Sequence, residues 1–295
     1  MHKQTHKRAF YTLAGCIAAL ALCVAASLFL LTPAPKAQDV TIPGTRGDIY
    51  ATVQLPGKLA RGEELPLVVL CHGFTGSRSG DGHFAPLAAD LAAQGIATVR
   101  LDFPGCGDST EPFTAYTLSN MTDDVESAIT YMQQTYGTGR TALVGHSMGG
   151  RLASLYPQRR GGITALALWS PANGAGLRGM EFLNIEAEAS GSISTWGVDV
   201  SGTLFTEMRD SDPNAALRES ALPTLLTYTG HEGILSDTTQ AETIAAVESL
   251  PDGRVVLEPF AEGNHNYLSE DAATAAALDK ALRETTVAFL VEYLK

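Results

Sequence analysis

The stretch Gly145-His146-Ser147-Met148-Gly149 constrains this chain more than any other. It follows an apolar run, Thr141 to Val144, and precedes a small-residue helical pattern, Gly150 to Tyr156. Gly-x-Ser-x-Gly between a strand and a helix marks a sharp turn that lifts a serine hydroxyl clear of a sheet. The glycines remove side-chain bulk where the backbone crowds, and the amides flanking Ser147 point to the same spot as its hydroxyl. A Gly-rich turn holding an ordinary serine is the bland alternative. The strand before, the helix after and the partners found below favour Ser147 as a nucleophile.

The rest of the chain alternates strands with helices. Asp48 to Leu55 alternates as a strand after a Pro43-Gly44 turn, and Leu67 to Leu70 is a continuous apolar run, as in a strand buried on both faces. His83 to Gln94 has helical spacing and stops at Gly95; Ala97 to Leu101 is the next strand; Leu118 to Tyr136 is a long helix stopped by Gly137. Ile163 to Trp169, Thr224 to Thr229 and Arg254 to Phe260 are further strands, with helices over Thr239 to Glu248 and Ala272 to Leu294. This order implies an α/β fold with a doubly wound, mostly parallel sheet, whose ligands sit at the carboxyl ends of the strands. Between Pro171 and Pro223 the pattern breaks up among six glycines. That is too long for a plain loop, and it reads as a cap inserted at about residues 174–222.

Charge and cysteine usage bound the partners. The formal charge is −12, and residues 1–38 hold Lys3, Lys7, Arg8 and Lys36 but no acids, so the remainder is more acidic still. Such a domain is a poor partner for nucleic acid. Cys16, Cys23, Cys71 and Cys106 show no metal-ligand spacing, and Cys71 reads as an inert core thiol. A basic start is followed by Ala9 to Leu31, 23 residues without a charge. That length spans a bilayer, and the flanking cations predict a cytoplasmic tail, an uncleaved signal-anchor helix and a domain outside the cell membrane. A cleaved secretory signal is the alternative. Residues 32–40 read as a Pro/Ala linker, so the expected division is 1–38 for tail, anchor and linker and 39–295 for the globular domain.

A serine hydroxyl needs an adjacent base. His2 and His6 belong to the tail, His72 begins a loop, and His146 occupies the variable position of the elbow. Of His83, His231 and His265, the last lies just after the final predicted strand and before the final helix, where the order Ser…acid…His puts the base. The acid then follows the strand ending at Thr229. Glu232 lies at the strand's end, and Asp237 reads as an N-cap for the next helix; Glu232 is favoured and both stay open. The oxyanion hole needs two backbone donors, expected from the amides of Met148 and of Phe74 in His72-Gly73-Phe74-Thr75-Gly76.

Four segments together, His72-Gly-Phe-Thr-Gly, Leu101-Asp-Phe-Pro-Gly-Cys-Gly-Asp-Ser109, Gly145-His-Ser-Met-Gly-Gly150 and Trp169-Ser-Pro-Ala172, resemble the bacterial feruloyl/cinnamoyl esterases of the α/β-hydrolase fold. The resemblance runs from about Leu67 to the C-terminus. It implies a serine carboxylic-ester hydrolase with Ser147, His265 and an acid at Glu232, a hole at Phe74 and Met148, and a cap shaping the acyl or aryl pocket. It implies no metal or other cofactor, and a small-molecule ester as substrate. Two departures stand out. The family's Gly-x-x-Asp turn is one residue shorter here and carries Glu232, and its Arg-Gly-His-Gly-Asp-Ser loop is Pro104-Gly-Cys-Gly-Asp-Ser109 here. The alternatives are a lipase of the monoacylglycerol type, which shares Gly-His-Ser-Met-Gly, and a surface-anchored binding protein that has kept the fold without activity. Neither the natural ester nor the oligomeric state is written in the sequence.

Overall fold

A computed structural model describes residues 36–57, 64–179 and 192–295. The described residues open with the hairpin β1 (Lys36–Pro43) and β2 (Asp48–Leu55), closed by the Pro43-Gly44 turn, where the Gly44 amide donates to the Gly47 carbonyl at 2.9 Å. There follow β3 (Leu65–Cys71), α1 (Phe84–Ala93), β4 (Ala97–Leu101), α2 (Leu118–Tyr136), β5 (Thr138–His146), α3 (Met148–Arg160) and β6 (Ile163–Trp169). An insert then supplies β7 (Ser192–Thr195), β8 (Val198–Ser201), α4 (Gly202–Arg209) and α5 (Pro213–Ser220). The chain returns to the sheet with β9 (Thr224–His231), α6 (Asp237–Glu248), β10 (Val255–Asn264) and α7 (Ala272–Leu294).

The main sheet has eight strands in the order β1-β2-β4-β3-β5-β6-β9-β10. β1/β2 and β2/β4 pair antiparallel and the rest pair parallel, so the expected mostly parallel α/β sheet is present. The unbroken apolar run of β3 follows from burial on both faces. Leu67 and Val69 pack with α2 and α3, and Val68 and Leu70 pack with Phe84, Leu87 and Leu91 of α1 and with Leu282 and Leu290 of α7. Thr117 caps α2 by accepting from the Asn120 amide, and Gly137 ends that helix at φ 69°, a conformation that needs no Cβ.

Two expectations change. Residues 32–40 do not divide linker from domain where expected, because Lys36 to Val40 belong to β1 and pair with Ala51 to Leu55. Edge pairing is a backbone property, and the Pro/Ala composition hid it. Asp237 is also not the N-cap of α6. Ser236 holds that place, its hydroxyl accepting from the Thr239 amide, and Asp237 is the first helical residue. There it still favours the positive end of the helix. The expected span Ala9 to Leu31 lies outside the described residues; among the described residues no helix is long and apolar enough to cross a membrane.

The insert at about 174–222 is not a plain loop. β7 and β8 form their own two-stranded sheet, and β8 lies against the short turn at Phe113–Ala115. α5 packs on α3 and α6. Its base is fixed by Arg151 of α3, which is fully buried. That guanidinium donates to the carbonyls of Ala172 (2.9 Å), Gly174 (2.7 Å) and Gly176 (3.0 Å) on the incoming stem, and of Met208 (3.1 Å) near the outgoing one, besides the Ser211 hydroxyl (3.0 Å). Removing the side chain leaves the buried carbonyls of Ala172, Gly174 and Met208 unpaired, at about 1–3 kcal/mol for each group left unsatisfied. Arg151→Met is expected to lower unfolding stability by at least about 3 kcal/mol. Urea titration followed by circular dichroism measures this; a loss under about 1 kcal/mol contradicts it.

Candidate active site

The elbow forms because three backbones meet with no side chain between them. A Cβ on Gly145 would lie 2.3 Å from the Gly149 carbonyl oxygen, and one on Gly149 would lie 2.1 Å from that of Cys71. Only glycine fits at either place. Ser147, between β5 and α3, takes φ 54° and ψ −116°, a region costing a non-glycine residue on the order of 1–3 kcal/mol. Its amide donates to the Trp169 carbonyl at 2.9 Å, and its carbonyl accepts from the Arg151 and Ala172 amides, each at 3.0 Å. The strained turn is thus locked by β6 and by α3.

Ser147 lines a cavity of about 400 Å³ at the carboxyl ends of the strands, with His265, Glu232 and Phe74. His265 follows β10 and is buried; Glu232 follows β9 and is buried. The His265 Nδ1 meets Glu232 Oε1 in a very short contact. A carboxylate only accepts, so Nδ1 carries the proton and Nε2 is left to act as a base. The other expected acid, Asp237, is exposed at the start of α6. His231 is exposed as well, 3.7 Å from Glu262, and although it lines the cavity it does not join the Glu232–His265 pair. No hydrogen bond joins Ser147 Oγ to His265 among the described residues; such contacts often tighten only when substrate is bound.

The loop that carries Phe74 passes beside the serine: a Cβ on Gly73 would lie 3.1 Å from the Ser147 Cβ. His72 sets its orientation. The Phe103 amide donates to His72 Nε2 at 3.1 Å, so the ring proton sits on Nδ1, which donates to the Gly73 carbonyl at 2.8 Å. That carbonyl and the Phe74 N–H share one planar peptide unit. Fixing one therefore aims the other. The Met148 amide is the first of α3, where helical N–H groups have no intrahelical acceptor.

Sequence reasoning set aside His146 and His83, yet both hold the loop that carries His265. His146 Nε2–H donates to the His265 carbonyl at 3.0 Å, and His83 Nε2–H to the Asn266 carbonyl at 3.0 Å, while Asp279 faces His83 Nδ1 at 2.7 Å. Burial pushes His146 down to about 3 and His72 down to about 4, so both are neutral at pH 7. Trp196, at the turn of the β7–β8 hairpin, also reaches the cavity, and Phe74 stands edge-on to it, to Phe113 and to Tyr116. No local period signals any of these, since their partners lie far along the chain. Among the described residues, no group of three or more His, Cys, Asp or Glu is placed to hold a metal ion. Cys71 and Cys106 are free and buried, and burial raises each thiol to about 12.

Residues 68–293 match the Alpha/beta hydrolase family. The chain belongs to that family. No curated protein matches the sequence. Among solved structures, the chain is similar in fold to Est1E from Butyrivibrio proteoclasticus with ferulic acid bound, at 20% identity and a TM-score of 0.70, over 85% of this chain and 99% of that one. It is also similar to the esterase domain of a Rhodothermus marinus protein, at 18% identity and a TM-score of 0.65, over 88% and 100%. A third is the Pyrococcus furiosus esterase Pf2001, at 16% identity and a TM-score of 0.63, over 88% and 92%.

The two neutral histidines make stability depend on pH. Their folded values lie below the unfolded value of about 6.5, so the unfolded chain takes up protons that the folded chain refuses. Stability is full above that value and is lost as pH falls toward the folded values. Asp124, raised to about 6 by burial against the pull of Arg46, works the other way and offsets one of the two. Between pH 6 and 4 the net loss is expected to be about 1.4 kcal/mol per pH unit, and Asp124→Asn is expected to steepen it. Unfolding free energies from urea titrations across that range test both; a flat profile in both proteins contradicts the assignment.

Proposed function

We propose that this protein is a serine carboxylic-ester hydrolase working through an acyl-enzyme. Ser147 Oγ attacks the ester carbonyl as His265 Nε2 takes its proton, and the same proton passes to the leaving alcohol as the C–O bond breaks. Water, deprotonated by His265, then releases the acid and restores the Ser147 hydroxyl. Glu232 holds the imidazole in the Nδ1–H tautomer and stabilises the imidazolium. The amides of Phe74 and Met148 receive the oxyanion, each donor contributing about 3 kcal/mol of transition-state stabilisation. The observation that carries this reading is the Glu232–His265 contact in the cavity lined by the strained Ser147.

The favoured substrates are small esters of aromatic acids, in the manner of feruloyl/cinnamoyl esterases. Three observations support this. The cavity of about 400 Å³ suits a ligand of that size. Phe74 and Trp196 line it with aromatic surface. Est1E, similar in fold, was solved with ferulic acid bound. In this reading residues 174–222 cap the pocket. The uncharged run Ala9 to Leu31 holds the protein in the cell membrane with the hydrolase domain outside.

Ser147→Ala is expected to lose fluorophosphonate labelling and at least about 10⁴-fold in kcat. Glu232→Gln is expected to lose about 10³- to 10⁴-fold, while Asp237→Asn stays within about twofold. Labelling that persists in Ser147→Ala rejects the nucleophile, and an Asp237 effect larger than that of Glu232 reassigns the acid. Trp196→Ala is expected to raise KM for methyl ferulate about tenfold, with little change for a short aliphatic ester. Faster turnover of long-chain monoacylglycerol than of methyl ferulate by the unaltered protein favours the lipase reading instead.

A further inference from the structure

The second carboxylate oxygen of Glu232 is not left bare. Ser170, directly after β6 and fully buried, donates its hydroxyl to Glu232 Oε2 at 2.8 Å. Its oxygen lies 3.2 Å from the phenol oxygen of Tyr267, which is also buried. The Thr227 hydroxyl lies 2.6 Å from that phenol oxygen, and the Thr227 carbonyl 3.0 Å from it. A carboxylate cannot donate, so the Ser170 proton points to Glu232. Tyr267 donates its one proton to the Thr227 carbonyl, and the Thr227 hydroxyl donates to the phenol. Three linked hydroxyls thus stand behind the acid, with Ser170 the one that touches it.

The backbone bends to make this possible. Ser170 has φ 40° and Tyr267 has φ 57°, both in the left-handed region that disfavours side chains. Ser170 is pinned there by its amide donating to the Thr227 carbonyl at 2.9 Å. Tyr267 comes two residues after His265, with its ring edge-on to His83 and His146. One side chain therefore links the base's own loop to the acid's far oxygen. The other oxygen, Oε1, takes the His265 contact and the Leu235 amide at 3.3 Å. Three donors thus surround a buried glutamate, a side chain with one more rotatable bond than aspartate and more freedom to turn away.

We propose that Ser170 and Tyr267 are positioning residues for the triad acid, the linked hydroxyls of Thr227, Tyr267 and Ser170 holding Glu232 aimed at His265. This rests on the hydrolase reading above. Linked hydroxyls fix one another's positions, and the bond to the carboxylate is the strongest among them. When His265 becomes an imidazolium, the chain keeps the opposing charge in place. Ground-state binding of the ester does not involve it, so its loss acts on kcat and not on KM.

The test is a cycle of variants assayed with p-nitrophenyl acetate. Ser170→Ala is expected to lower kcat about 10- to 100-fold with KM within about twofold, and Tyr267→Phe to lower it less, in the same sense. In a Glu232→Gln background, adding Ser170→Ala is expected to change kcat by less than about twofold, because the group it serves is already gone. A kcat within about twofold of the unaltered protein for both single variants overturns the proposal. So does an equal loss from Ser170→Ala in both backgrounds, which marks a purely structural role. If Ser170→Ala fails to fold, Tyr267→Phe alone and with Glu232→Gln carries the same comparison. Full activity in Ser147→Ala sinks the hydrolase reading itself; a dead Ser147→Ala beside additive Ser170 effects sinks only this inference.

Discussion

The contact on which the site depends is one without side chains: the first turn of α3 lies so close to the end of β3 that a Cβ on Gly149 would meet the Cys71 carbonyl oxygen at 2.1 Å. This approach brings the Ser147 turn and the His72–Gly76 loop to one point. Gly73, which precedes Phe74, and Ser147 are neighbours for that reason. The strain at Ser147 is held in place by hydrogen bonds from the next strand and helix. Such strain persists only where the surroundings over-determine it.

Around that point the protein places histidines in three different states of use. His265 turns one nitrogen to Glu232. His72 and His146 are held neutral by burial and spend both or one of their nitrogens on backbone groups of the site. His83 faces Asp279 on one side and the base's own loop on the other. The imidazole is suited to this work because a neutral ring both donates and accepts. Protonation of His72 would break its bond from the Phe103 amide.

Much of this was legible in the sequence because it is local. The elbow, the Gly137 stop of α2 and the bounds Leu118–Tyr136 and Ala272–Leu294 each follow from residues a few positions apart. The fold class follows from the alternation of strands and helices. What stayed hidden is long-range. β1 is a strand only because β2 offers it an edge. Ser170, Glu232 and Tyr267 meet across separations of 62 and 97 residues, and nothing in the local pattern of any one points to the others. Ser236 and Asp237 are both good capping residues, and only the backbone geometry decides between them.

Arg151 ties both stems of the insert to the helix that begins directly after Ser147. The hairpin that presents Trp196 meets the rest of the protein through Phe74 and the turn at Phe113–Ala115. Diversity in the esters such a protein accepts has room to arise there by exchange of a short segment, with the elbow, the base and its hydroxyl chain left untouched.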